Sequence, residues 1–259
     1  MIEINNLHKR FGQKVVLDGV TFKIPDGDTI CIIGKSGSGK SVMLKHIVGL
    51  LQPDEGYVNV EGMRIDKTDK KDLFSLRRKM GFVFQGAALF DSMTVFENTI
   101  LSMYEYGNRN IQELEREAIR VLSAVRLLPE VNEVSEAEFQ KEWNILRNKK
   151  PSDLSGGMRK RVGVARALVG NPKYIFYDEP TTGLDPVTSE QIDILIAELT
   201  HKLNVTSVVI THDMFSVFRI AHTVAMLHEG KLRYFGDVEG LKQSKDDIVQ
   251  EFIDRFILK

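Results

Sequence analysis

The run "TICIIGKSGSGKSVMLKHIVGLL", Thr29 to Leu51, constrains the fold more than any other part of the chain. The residues from Thr29 to Ile33 are uncharged and mostly apolar, which reads as a strand buried on both faces. A helical pattern follows from about Gly39 to Leu51, and the junction is built of glycine, serine and lysine. A strand that feeds a helix through a tight loop of small residues is the opening unit of an α/β core. The junction itself, Gly34-Lys35-Ser36-Gly37-Ser38-Gly39-Lys40-Ser41, fits G-x-x-x-x-G-K-[ST]. Its glycines let backbone N–H groups wrap a polyphosphate, Lys40 reaches the terminal phosphates, and the Ser41 hydroxyl suits Mg²⁺. A Gly/Ser turn that merely resembles the motif needs no buried strand before it and no helix after it. The nucleotide-binding reading is therefore the stronger.

The rest of the pattern completes an α/β chain. Strand-like runs with turns, "MIEINNLHKRF", "VVLDGVTFKI" and "GYVNVEGMRI", surround the buried strand, and "GFVF" precedes Gln85. From about Thr94 to Arg147 the pattern is helical, clearest in the amphipathic "IQELEREAIRVLSAVRLL". "PSDLSGGMRKRVGVARAL" opens another helix on Ser155, Gly156 and Gly157 with a basic first turn, and Gly170 and Pro172 close it. "YIFY" and "SVVIT" are further buried strands, separated by the helical "PVTSEQIDILIAELTHKL". That alternation favours a parallel sheet covered on both faces. "TVAMLHEGKLRYFG" reads as a hairpin and "DDIVQEFIDRFI" as a terminal helix with Ile248, Phe252, Ile253 and Phe256 on one face. The expectation is one compact unit, with a helical lobe inserted between two halves of the core.

Charge and composition narrow the function. The 35 basic and 36 acidic side chains leave a net charge of −1, so no basic excess is available to grip nucleic acid. The single Cys31 lies in the apolar strand and is expected to be a core thiol in a reducing compartment. The N-terminus lacks the pattern of a signal peptide, and no apolar run approaches the roughly 18 residues of a membrane helix. A membrane is expected to be met only through a partner.

Two further elements bear on phosphate chemistry. "YIFYDEP" places Asp178 and Glu179 at the end of a buried strand, where Asp178 suits a magnesium shell and Glu179 can polarise an attacking water. Alone, such a strand end would read as an acidic capping turn; beside the phosphate loop it reads as part of the same site. The Ser155-Gly156-Gly157 helix start also offers free N–H groups to an anion, although a Gly-rich cap without a ligand fits "LSGG" equally well.

With these residues in hand, the chain resembles the nucleotide-binding domains of ABC transporters. "GKSGSGKS", Gln85 after "GFVF", "LSGGM", "YIFYDEP", "GLD" and "VVITHD" follow in that family's order and rough spacing across nearly the whole chain. The resemblance implies a P-loop NTPase fold with an N-terminal antiparallel β subdomain, a mostly parallel core sheet and an inserted helical subdomain. It implies a single ABC ATPase domain over 1–259, divided into a catalytic core at 1–85 and 159–243, a helical signature subdomain at 86–158, and a C-terminal helix at 244–259. It implies ATP and Mg²⁺ as ligands, with Ser41, Gln85 and Asp178 around the metal and Glu179, His212 and Lys40 carrying hydrolysis. Phe11 matches the aromatic position that stacks on adenine; a core phenylalanine is the competing reading. Gln85 would report nucleotide state to a transport partner, and Asp185 matches a loop that crosses between subunits. In this family Ser155, Gly156 and Gly157 close the ATP of a second copy, so the resemblance implies a head-to-tail homodimer with two shared sites.

Within the family, "ALFDSMTVFEN", "LSGGMRKRVGVARAL" and "DEPTTGLDPVTS" are similar to the ATPases of MCE-associated, Mla-type phospholipid transporters. That branch implies an integral-membrane permease, an MCE-domain lipid-binding protein, and a peripheral position on the cytoplasmic face of the bacterial inner membrane. A nutrient importer subunit for amino acids or metals is the alternative, and a soluble non-transport ABC ATPase the remote one. Two departures stand out. "FQGAALF" occupies the place of the branch's common "FQSGALF", and Pro129–Asp153, with the only tryptophan, is longer than the usual link into the signature. The long segment reads either as a solvated helix or as a contact for the permease or an accessory protein. The terminal helix is expected to pack on the core or on the dimer mate, with an accessory subunit as the alternative.

Overall fold

The computed structural model of the chain describes residues 1–130 and 134–257, with side chains to residue 254. The chain opens with strands β1 (Ile2–Phe11), β2 (Lys14–Ile24) and β3 (Thr29–Ile33), then helix α1 (Lys40–Ile47). The hairpin β4 (Glu55–Val60) and β5 (Met63–Arg64) precedes α2 (Lys70–Arg77) and β6 (Met80–Val83). Four helices follow: α3 (Val95–Glu105), α4 (Ile111–Ala124), α5 (Glu136–Asn148) and α6 (Gly156–Leu168). The chain continues through β7 (Tyr174–Asp178), α7 (Pro186–Leu203), β8 (Thr206–Ile210) and α8 (Met214–Ile220). It ends on the β9 (Thr223–His228) and β10 (Lys231–Gly236) hairpin, α9 (Val238–Lys242) and α10 (Asp247–Ile257). These elements form two compact units, one of residues 1–78 with 196–259 and one of residues 79–195.

The first unit holds two kinds of sheet. Its antiparallel sheet runs β2-β1-β4-β5, with Ile2 opposite both Ile24 and Val60. Alternate residues Val20, Phe22 and Ile24 turn inward, the period-two pattern of a sheet with one wet face. Its core strands run β10-β9-β3-β8, with β3 parallel to both β8 and β9 and β10 antiparallel. Strands β3 and β8 are buried at every position, which is why their sequences are uncharged and mostly apolar rather than alternating. The Cys31 thiol is fully buried, as its apolar neighbours imply. Helix α10 turns Val249, Phe252 and Ile253 inward and packs on α8, α9 and β10, which favours the core-packing reading. Ile248 is half-buried, and the side chain of Phe256 lies outside the described residues.

The second unit pairs β6 and β7 in parallel and packs α3 against α4, α5 and α6. Its helix starts are set by local chemistry. Thr94 with Glu97 and Ser135 with Glu138 form capping boxes, and the Asn110 side chain accepts from two N–H groups of α4. Helix α5 is solvated on its outer face and anchored along one stripe: Phe139, Trp143 and Leu146 are buried, and the Trp143 ring meets Phe96 of α3 edge-on at 5.9 Å. Residues 131–133 of the long segment lie outside the described residues.

Two departures from the sequence pattern have physical causes. Helix α1 stops at Ile47 instead of continuing to Leu51, because Gly49 turns left-handed at φ 71° and the Lys45 carbonyl accepts from Leu50 N. Helices α2, α8 and α9 are five to eight residues long, too short to show a helical period.

Candidate nucleotide site

In the first unit, β3 runs directly into the phosphate loop and α1. Gly34 takes φ 145°, and a Cβ there would lie 2.1 Å from the Leu227 carbonyl oxygen and 2.7 Å from Ser38 Oγ. Only glycine lets the loop pass so close to β9. The Lys40 ammonium is held inside the loop, donating to the carbonyls of Gly34 at 2.7 Å and Lys35 at 3.2 Å. Gly39 starts α1 in a left-handed conformation, and the first turn of α1 carries no acid. The positive end of that helix is thus uncompensated by charge. The buried Ser38 Oγ has no hydrogen-bond partner among the described residues. A hydroxyl left unsatisfied in a glycine loop at a helix start fits an anionic phosphate group.

The flanking candidates of this unit are solvent-facing. Phe11 ends β1, opposite Lys14, and is 48% exposed, so the core reading for it is excluded. Lys9 Nζ lies 5.7 Å from its ring centroid. Ser41 is exposed in the first turn of α1, and His212 is exposed just beyond β8. The neighbouring Asp213 caps α8 through Phe215 N at 2.9 Å, which fixes the backbone beside the histidine. Lys35, exposed in the loop, pairs with Glu251 of α10 at 3.1 Å.

The second unit carries the other candidates. Asp178 closes β7, and Glu179 follows with φ 50°, a left-handed conformation uncommon outside glycine. The turn after it holds that conformation. Thr182 Oγ1 donates to Glu179 Oε2 at 3.2 Å, and Thr182 N donates to the Glu179 carbonyl at 3.3 Å. Gln85 is exposed in the loop after β6. In that loop Ala87 and Ala88 take φ 62° and 44° in succession, each disfavoured by about 1–2 kcal/mol for an L-residue. Arg166 holds the strained pair, donating to Ala87 O at 2.6 Å and Ala88 O at 2.8 Å.

The Ser155 hydroxyl caps its own helix, accepting from Met158 N at 3.2 Å, and α6 has no acid in its first turn. The two glycines also have a packing reason. A Cβ on Gly157 would sit 2.8 Å from Thr188 Cγ2, and one on Gly156 would sit 3.3 Å from Leu184. Asp185 caps α7, accepting from Val187 N, Thr188 N and Thr188 Oγ1, and the Thr188 hydroxyl chiefly holds its carboxyl below the usual range.

The sequence reading gave no site role to four residues: Lys160, which it noted only as part of a basic turn, Arg166, Asn98 and Thr182. Asn98 is fully buried and clamps the loop end, accepting from Phe90 N and donating to the Phe90, Met93 and Thr94 carbonyls. Lys160 is 6% exposed and donates to the Gln85 carbonyl, with the Glu179 carbonyl at 3.4 Å. Burial lowers its pKa, and the Glu179 charge partly restores it. A signal for it did exist: Lys160 shares a helical stripe with the apolar Val164 and Ala167. A cation on such a stripe needs a buried partner.

The comparisons with known proteins agree with this geometry. The family model for ABC transporters matches residues 17–182. The chain is 34% identical over 253 residues to a probable ribonucleotide transport ATP-binding protein mkl of Mycobacterium tuberculosis, covering 98% of this chain and 66% of that protein. It thus spans about two thirds of the length of the mycobacterial relatives. It is 37% identical over 263 residues to the methionine import ATP-binding protein MetN of Carboxydothermus hydrogenoformans, covering all of this chain and 73% of MetN. With the intermembrane phospholipid transport system ATP-binding protein MlaF of Haemophilus influenzae it shares 32% identity over 259 residues, 98% of this chain and 90% of MlaF. The dimeric structure of MJ0796, a bacterial ABC transporter cassette, superposes with a TM-score of 0.78 at 33% identity, covering 92% of this chain and 99% of that one. The chain belongs to the ABC transporter family, and its fold is that family's ATP-binding cassette. Among the described residues no helix is long and apolar enough to cross a membrane.

Proposed function

We propose that the chain is the ATP-hydrolysing subunit of an ABC transporter that moves phospholipid between bacterial membranes. The observation that carries the ATPase reading is the phosphate loop itself: buried Lys40, a glycine-only passage at Gly34 and the unpartnered Ser38 hydroxyl. In this reading the N–H groups from Gly34 to Ser41 cradle the phosphates, and the exposed Phe11 ring takes the adenine. Ser41, Gln85 and Asp178 would hold Mg²⁺, which would supply positive charge to the phosphate oxygens. Glu179, its carboxylate oriented by Thr182, accepts a proton from the attacking water. His212 contacts the terminal phosphate. Ser155, Gly156 and Gly157 close the site of a second copy, with Asp185 at the crossing, so the whole 259-residue chain acts as one ATPase domain in a homodimer.

The lipid branch is supported by the similarity to MlaF along 98% of the chain. It entails a permease and an MCE-domain partner at the inner face of the inner membrane, with no nucleic acid bound. The identity to MetN favours a second reading, an amino-acid importer subunit. Pull-down of the tagged chain from its own membranes separates the two: co-purification of an MCE-domain protein with phospholipid supports the first, and a solute-binding protein without one supports the second. For the site, Glu179→Gln should keep ATP affinity, lower turnover at least about 100-fold and trap an ATP-bound dimer. A Glu179→Gln protein that stays monomeric in saturating ATP and Mg²⁺ would refute that role.

A further inference from the structure

We infer that Lys160 is a positioning residue for hydrolysis, its ammonium tying the backbone of Gln85 to the backbone of Glu179 from the signature helix. Lys160 Nζ donates to the Gln85 carbonyl and lies 3.4 Å from the Glu179 carbonyl, and the side chain is almost wholly buried. The inference rests on the proposed ATPase site, in which Gln85 belongs to the metal shell and Glu179 handles the water.

The chemistry of the contact supports positioning rather than packing. A buried ammonium destabilises a fold, and an apolar chain of similar length would fill the same space without that penalty. What lysine adds is directed N–H bonds to two carbonyls that belong to different turns. One turn precedes α3 and the other follows β7, and no backbone bond between them is needed when one cation holds both. Glu179 in particular sits in a left-handed conformation, and its carbonyl accepts from Thr182 N at 3.3 Å as well as from Lys160 at 3.4 Å. The direction in which its carboxylate leaves the backbone therefore depends on how that carbonyl is held. Lys160 also lies one helical turn from Gly157, so a displacement of the signature start is passed to both turns through one side chain.

The test uses the full chain with three forms: wild type, Lys160→Met and Lys160→Arg. Thermal unfolding, ATP affinity measured without Mg²⁺, kcat, KM for ATP and the Mg²⁺ concentration for half-activation are recorded for each. Lys160→Met should leave thermal stability and metal-free ATP affinity unchanged or raised. It should lower kcat about 10–100-fold and raise the Mg²⁺ requirement, as loss of a group that orients a ligand does. Lys160→Arg, which keeps charge and donors, should recover most of kcat. Lys160→Met with kcat within about twofold of wild type overturns the inference, as does a kcat loss explained by unfolded protein. In that case an active wild type leaves the ATPase reading standing. A wild type that neither binds nor hydrolyses ATP overturns both.

Discussion

Trp143→Ala tests whether α5 is part of the fold or an added surface. The indole is 3% exposed, meets Phe96 edge-on at 5.9 Å with an interplanar angle of 83°, and lies under the Arg147 guanidinium at 4.9 Å. Arg147 also lies 4.9 Å from the Phe96 ring and pairs with Glu115 of α4 at 2.6 Å, so one side chain joins three helices over the tryptophan. Truncating a buried tryptophan to alanine costs about 3–5 kcal/mol. The edge-on ring pair, worth about 0.5–1.5 kcal/mol, and the cation above it place the expected loss in the upper part of that range. Trp143→Phe, which keeps a ring against Phe96, should lose less than half as much. Because Trp143 is the only tryptophan, unfolding in urea is followed by far-ultraviolet circular dichroism, and the wild-type fluorescence independently reports the α5–α3 contact. A loss under about 1 kcal/mol for Trp143→Ala would refute the claim that α5 is anchored. Deleting residues 135–149 would remove this anchor together with the Lys149 carbonyl that accepts from Val95 N, so such a deletion cannot report on a partner alone.

Ala87→Gly probes the strained loop after Gln85. Alanine to glycine usually destabilises by about 0.5–1 kcal/mol through the unfolded chain, but at φ 62° it also relieves about 1–2 kcal/mol of strain. The urea stability should therefore stay equal or rise; a loss above about 1 kcal/mol would show that the left-handed turn is not strained. His46 gives a pH dependence. It is buried in α1 with Nδ1 2.7 Å from the Val42 carbonyl, and burial lowers its pKa below the usual 6.5. Between 6.5 and the lower folded value the unfolded chain binds the extra proton, so stability falls as pH drops through that window. Urea midpoints at about pH 7.5 and 5.5 should differ more in wild type than in His46→Leu, and equal differences would exclude His46 as the cause.

What the sequence showed directly were features whose cause is local or periodic. The buried strands β3, β7 and β8 are legible because parallel strands covered on both faces must be mostly apolar and uncharged along their buried length. The phosphate loop is legible because Gly34 has a backbone reason that no other residue meets. Phe11 was ambiguous because an aromatic at a strand end can face either way, and only the folded hairpin shows it in solvent. The bonds of Lys160 and Arg166 were not legible for a different reason. Both reach carbonyls 75 to 79 residues away, and a carbonyl has no residue identity for a pattern to record. In the sequence "RKR" is the basic first turn of a helix, and in the folded α6 its middle member, Lys160, points inward.

That difference bears on the signature helix as a whole. Its glycines allow close approach to the loop around Leu184 and Thr188, while Lys160 and Arg166 grip the loop from Gln85 to Ala88. The four contacts are of opposite kinds: the first two are limited by steric distance, the last two by directed hydrogen bonds. A steric contact tolerates separation and resists approach, whereas a bonded contact resists separation. If a second copy's ATP pulls on the N-terminus of α6, the Leu184 side is held by longer bonds, Lys160 to the Glu179 carbonyl at 3.4 Å and Arg161 to Gln191 at 3.5 Å, whereas the Gln85 loop must follow the helix or break three shorter ones. The strain at Ala87 and Ala88 works in the same direction, because those residues would relax as soon as Arg166 let go. The loop that carries Gln85 is therefore tied to the signature more tightly than the signature is tied to the loop that carries Asp185.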